Sequence, residues 1–150
     1  VNWDLSRYLA LFVSESREHL EALSRDLVRL ERAGGGGEDV TPVVDELFRH
    51  AHSLKGMAAA MQQEGIAAVA HRAEDVIGAV RTRGGAPSPP IIDALLAATD
   101  AIAAMVGQAG AGATPAADEA LVERLTAASA RTRGEDTAPA DEEPAAAPAP

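Results

Sequence analysis

The sequence predicts an all-α fold: an antiparallel up-down four-helix bundle with a fifth, shorter C-terminal helix. Two observations carry this expectation. Apolar residues recur with a 3.6-residue period in several blocks, and no block alternates with period two. The chain is 47% hydrophobic, yet only Trp3, Tyr8, Phe12 and Phe48 are aromatic among 150 residues. Such a core is built from Leu, Val, Ile and Ala, which suits closely approaching helices better than sheets.

Taken in order, Leu9, Phe12, Leu20, Leu23, Leu27 and Leu30 mark a long first helix over residues 4–33, stopped by the four glycines that follow. A second helix is predicted over 42–61, with Leu47, Ala51, Leu54, Ala58 and Met61 on its buried stripe. The third, over 65–83, buries Ile66, Val69, Ala73, Val76, Ile77 and Val80. The fourth follows Gly84 and Gly85 and carries Ile91, Ile92, Leu95, Ile102, Met105 and Val106. A shorter fifth, over 116–130, has Leu121, Val122 and Leu125. Thr41-Pro42, Ser88-Pro89 and Thr114-Pro115 each pair a capping hydroxyl with a proline at the first helical position, and so predict three of the helix starts. Short connections between long helices favour antiparallel neighbours. The bundle is thus expected over residues 1–133. Residues 134–150, which are Ala, Pro, Asp and Glu with no large apolar side chain, read as a flexible linker leading to further domains.

Composition excludes several chemistries. There is no cysteine, so disulfides, thiolate metal sites and cysteine nucleophiles are absent. The net charge of −10 argues against nucleic acid, whose phosphates demand a basic face. No apolar run is expected to approach a membrane span of roughly 18 residues, and the expectation is a cytoplasmic domain without membrane insertion. No G-x-x-x-x-G-K-[ST] loop is present, so no nucleotide site is expected within these residues.

The most informative stretch is His52-Ser53-Leu54-Lys55-Gly56. With Leu47, Ala51, Leu54 and Ala58 facing the core, Phe48, His52, Lys55 and Ala59 form the adjacent half-exposed strip. His52 and Lys55 stand at i and i+3 on one helix face. The third helix repeats the arrangement, with His71 and Glu74 beside its buried stripe. A short turn near residues 62–65 makes these helices antiparallel, so residues about nine before the turn meet residues about nine after it. His52, Lys55, His71 and Glu74 can then share one patch. A carboxylate accepting a hydrogen bond from one imidazole nitrogen leaves the other as a lone-pair nucleophile. Lys55 can offset charge on an incoming phosphoryl group. Gly56 disfavours an exposed helix interior by about 1 kcal/mol relative to alanine, which points to a site needing space.

Each residue also has an ordinary reading. A histidine near a helical core is commonly a packed side chain, Lys55 a solvated charge, and Glu74 a partner for Arg72 or Arg81. His19 and His50 are assigned to surface roles. A purely structural protein-binding bundle and a zinc site from His52, His71 and Glu74 remain as alternatives, the latter disfavoured by the lysine beside it.

Ala51-His52-Ser53-Leu54-Lys55-Gly56 resembles the phospho-acceptor motif of histidine phosphotransfer (HPt) domains. His71-Arg72-Ala73-Glu74 resembles the second motif of the amino-terminal domain of CheA-type chemotaxis histidine kinases, and the spacing of the two also matches. The likeness covers roughly residues 4–130. It implies that His52 is phosphorylated, that Glu74 orients it, that Lys55 and His71 support the network, and that Gly56 is the steric gap. It further implies phosphorylation by an ATP-binding kinase domain of the same or a partner subunit, which uses ATP and Mg, and donation to response-regulator receiver aspartates. No cofactor would be bound by this domain itself. A hybrid sensor or a pilus-motility kinase is the other parent protein that such a domain implies. One departure lies just past the motif: residues 57–61 read Met-Ala-Ala-Ala-Met where the family has small residues and an aromatic, which bears on receiver docking rather than on the fold.

Overall fold

Five helices follow one another in the chain: α1 (Asn2–Ala33), α2 (Thr41–Ala60), α3 (Glu64–Arg83), α4 (Pro89–Gly110) and α5 (Glu119–Thr132). The computed structural model describes residues 2–34 and 36–134, with the side chains of Asn2 and Trp3 left aside, and no strand occurs among them. The linker expected over 134–150 therefore lies outside the described residues, apart from Gly134. α1 packs on α2 and α4, α2 on α3, and α3 on α4, which closes a four-membered ring. α5 lies alongside, against α3 and α4. Leu27, Leu30, Leu47, Leu54, Ile66, Ile102 and Leu125 are the large, fully enclosed side chains at the centre. Burying each such side chain contributes about 1.5–3 kcal/mol. Leu9, Met61 and Val122, expected in the core, sit at its edge and are only partly covered.

The connections differ from expectation in instructive ways. α2 ends in a Schellman turn, in which the Gln62 amide donates to the Ala59 carbonyl (3.0 Å) and the Gln63 amide to that of Ala58 (2.8 Å). Gln62 takes the left-handed conformation (φ 58°) that glycine usually supplies. The resulting reversal is only three residues long and fixes how α3 lies against α2.

The capping hydroxyls do not act as predicted. Thr41 lies inside α2, and its amide is accepted by Asp39 Oδ1 at 3.0 Å. Ser88 occupies the cap position of α4 but makes no side-chain cap bond, although proline follows as expected. α5 starts at Glu119 rather than near Thr114-Pro115, with Asp118 Oδ1 accepting the amides of Ala120 and Leu121. The physical reason lies in α3. Gly65 lets the Pro115–Ala117 backbone rest directly on the first turn of α3, where any Cβ would overlap the Pro115 carbonyl oxygen. That segment is packed against α3 and stays outside the helix.

The expectation that no segment approaches a membrane span also needs correction. By length and composition α4 could cross a bilayer, with 22 residues and a mean hydropathy of 1.6 in its most apolar window. In the fold this apolar character is spent on packing, since Ile91, Ile92, Leu95, Ile102, Met105 and Val106 are all buried in the bundle.

Candidate functional site

The α2–α3 hairpin places its polar strip in a definite register. Residue numbers of facing side chains sum to a near constant, and the midpoint between 52 and 74 is Gln63, in the turn itself. His52 Nδ1 and Glu74 Oε2 are 2.5 Å apart, and Lys55 Nζ donates to Glu74 Oε1 at 2.7 Å. Glu74 is buried, Lys55 is half-buried, and the His52 side chain is 63% exposed. Burial by itself would raise the Glu74 carboxyl. The hydrogen bonds from Lys55 and His52 and the positive charge of Lys55 outweigh it and hold the carboxyl below its ordinary range.

The tautomer of His52 follows. An ionised carboxylate only accepts, so Nδ1 carries the proton and donates to Oε2. Nε2 is left with its lone pair on an exposed ring. Lys55 holds an ammonium against the second oxygen of the same carboxylate, so the group is a closed triad of cation, anion and polarised imidazole. Gly56 lies one position beyond Lys55, and a Cβ there would meet nothing within 4 Å. No packing inside the domain requires that glycine; its missing side chain leaves open surface next to the triad.

His71 stands apart from this bonded group. Its Nδ1 accepts from Arg72 Nη2 at 3.1 Å, and its Nε2 lies 3.8 Å from Asp75 Oδ1. His71, Glu74 and Asp75 each offer a ligand atom within 4.8 Å of one another, a different set from the His52, His71 and Glu74 considered for zinc. Both Glu74 oxygens are already engaged by Lys55 and His52, so an ion there would have to displace an ammonium. The alternative partners considered for Glu74 bond elsewhere: Arg72 pairs with Asp75 at 3.3 Å and Arg81 lies 3.9 Å from Asp45. His19 and His50 are not simple surface residues either, because their Nδ1 atoms meet at 2.8 Å between α1 and α2.

Two further side chains flank His52. The Phe48 ring lies one turn before it on α2, nearly parallel to the imidazole, with 12° between planes and 6.3 Å between centroids. Arg81 Cζ from α3 sits 3.9 Å from the centroid of Phe48. The i, i+4 spacing put Phe48 on the same strip in the sequence, but nothing there placed Arg81 over it. Beside them opens a groove of about 880 Å³, lined among others by Phe48, Glu74, Gly78, Arg81 and Thr132.

The family model for the Hpt domain matches residues 7–109. The chain belongs to the Hpt domain family. Within that family it is similar to chemotaxis protein CheA of Listeria monocytogenes, with 36% identity over 110 residues, and of Bacillus subtilis, with 35% over 105. These matches take in 73% and 69% of this chain but only 17% and 15% of the two relatives, so the chain spans about a sixth of their length. Among solved structures, the phosphorylated P1 domain of CheA3 in complex with CheY6 from R. sphaeroides superposes with a TM-score of 0.72 at 30% identity. That likeness covers 85% of this chain and 98% of the other. This Hpt domain is therefore homologous to the P1 phospho-acceptor of a chemotaxis phosphorelay, and the triad lies within the matched residues.

Proposed function

We propose that His52 is the residue that this Hpt domain presents for phosphorylation, and that a CheA-type kinase domain on the same or a partner subunit phosphorylates it. The observation that carries the reading is the contact of His52 Nδ1 with the buried Glu74 carboxylate on a ring that is otherwise largely exposed, which assigns the proton to Nδ1 and the lone pair to Nε2. The Nε2 lone pair attacks the γ-phosphorus of ATP held with Mg by the kinase domain. The N–P bond forms as the bond to the ADP oxygen breaks, and Glu74 stabilises the positive charge that develops on the ring. In the second half-reaction a receiver aspartate attacks the same phosphorus, an O–P bond replaces the N–P bond, and the ring returns to neutral. Lys55 keeps Glu74 charged through both steps and adds positive charge near the phosphoryl oxygens. Gly56 gives a partner backbone room to approach. On this reading the domain itself binds neither nucleotide nor metal, acts in the cytoplasm and inserts into no membrane. The chemotaxis relatives favour a chemotaxis parent over a hybrid sensor or a pilus-motility kinase.

The test is transfer of label from γ-labelled ATP in the presence of a CheA kinase domain. The expected product is an acid-labile, base-stable phosphoprotein, absent in His52→Gln. Full labelling of that variant, or none of the parent, overturns the proposal and leaves the non-catalytic bundle as the reading.

A further inference from the structure

We infer that Phe48 and Arg81 are positioning residues for transfer at His52, acting as a stack that holds the plane of the imidazole. This rests on the reading of His52 as phospho-acceptor. The His52 ring is exposed over most of its surface, and among the described residues its hydrogen bond is at Nδ1. With Cγ tethered to the backbone, one such bond narrows the ring's motion but still lets its plane tilt through coupled changes in χ1 and the broad χ2. The Nε2 lone pair lies in that plane, so tilting swings it away from the line along which a phosphorus must be approached. A displacement of about 1 Å in a reacting group can cost 10²-fold in rate.

Phe48 supplies the missing restraint. Its ring runs parallel to the imidazole to within 12°. It is itself held: Arg81 covers it at 3.9 Å from the ring centroid, and the Arg81 guanidinium is 3.9 Å from Asp45 of α2. On α3, Gly78 faces the ring edge, and a Cβ there would already be 3.4 Å from Phe48 Cε1. A larger side chain at 78 would push the ring off its place. The stack therefore joins α2 to α3 beside the Glu74 bond, and the two restraints act on different degrees of freedom. Glu74 sets the tautomer and Phe48 sets the plane.

The experiment uses the domain with a CheA kinase domain and ATP, comparing the parent, His52→Gln, Phe48→Leu, Phe48→Tyr and Arg81→Ala. Phe48→Leu keeps apolar volume without a ring; Phe48→Tyr keeps the ring. Expected are a roughly 3- to 30-fold lower maximal rate of labelling for Phe48→Leu with unchanged half-saturation for the domain, a smaller loss in the same parameter for Arg81→Ala, and a rate close to the parent for Phe48→Tyr. Proton NMR of the His52 ring gives a readout independent of the kinase. Its carbon-bound protons should carry a ring-current shift that Phe48→Leu removes and Phe48→Tyr retains. A parent-like rate in Phe48→Leu overturns the inference, as does a loss that appears in half-saturation or follows a lowered melting temperature instead. Failure of the His52 reading looks different: the parent takes no label, or His52→Gln takes it fully, whatever residue 48 is.

Discussion

On one face of α2, Glu74 is buried beneath a histidine and a lysine, and each of its oxygens receives a hydrogen bond. On the other face, Asp26 of α1 is buried just as deeply, but among the described residues its Oδ1 accepts from Arg29 (3.1 Å) and its Oδ2 meets no donor. The same kind of group is driven in opposite directions. Glu74 is held below the ordinary carboxylate range, because two donors overcome burial. Asp26 is pushed above it, by burial first and then by the neighbouring Glu46 carboxyl, against which Arg29 alone is insufficient. The histidines diverge in parallel. His52 is exposed and bound to a carboxylate, whereas His50 is half-buried against His19 and held below the ordinary imidazole value by burial and by that neighbour's charge, with Arg49 and Arg25 adding to it and Glu46 opposing. Two aligned nitrogens at 2.8 Å can share one proton but not hold two. A histidine beside acids is thus not by itself a reactive site. What distinguishes the α2–α3 seam is an orienting carboxylate held below the ordinary range and a largely exposed imidazole bound to it.

The largest difference should appear in phosphoryl transfer. Glu74→Gln replaces the acceptor-only carboxylate with a neutral amide that can turn either its oxygen or its NH2 toward Nδ1, so the His52 tautomer is no longer fixed. It should slow labelling about 10- to 100-fold, the scale on which loss of the carboxylate partner of a metal-binding histidine acts. Asp26→Asn should leave the rate unchanged. Equal losses in the two variants would break the comparison.

Stability should move the other way. With its folded value raised, Asp26 favours the fold below its unfolded value, and that contribution is lost as pH rises through the folded one. Asp26→Asn should therefore stabilise by about 1 kcal/mol at pH 7, with the gain vanishing in acid below the carboxylate range. Glu74 has the opposite sign: its contribution is present above its unfolded value and lost as pH falls through the depressed folded one. Glu74→Gln should cost about 1–3 kcal/mol at pH 7 and progressively less in acid. Urea unfolding of both variants at neutral and acid pH reads these slopes, and slopes of the same sign would refute the contrast.

Smaller still is Gly56→Ala. The new Cβ meets open space in a helix interior, so melting should show a gain of up to about 1 kcal/mol, accompanied by slower transfer from the kinase domain. A gain with no kinetic change would mean that no partner comes close at that point. The smallest expected effect concerns His50. Its depressed folded value favours the fold above about pH 6.5, and this is lost on acidification through the folded value. His50→Gln should flatten the fall in stability between pH 7 and 5, and an unaltered slope would place the origin of that fall elsewhere.

Much of the site was legible because it depends on local rules. His52 and Lys55 share a face through helical spacing, and Glu74 meets them through the short turn that separates two periodic segments. The bonding within the group was less legible. His71 has the right spacing, but it is drawn to Arg72 and Asp75, near neighbours whose reach depends on rotamers and exposure. Asp26 lies on the Leu23, Leu27 and Leu30 stripe, yet its burial and its encounter with Glu46 depend on which face of α1 meets α2. Arg81 over Phe48 joins residues 33 positions apart, and no periodicity states what lies above a ring.

The sequence by itself determined the helices, their order, the buried stripes and the pairing of the two motifs, because these follow from short-range periodicity and one tight reversal. Only the tertiary structure decided where α5 begins, since the α4–α5 segment is held by Gly65 of a distant helix. It alone decided which carboxylate stays ionised and which imidazole nitrogen is free, because both depend on the number of donors that packing delivers to a buried oxygen.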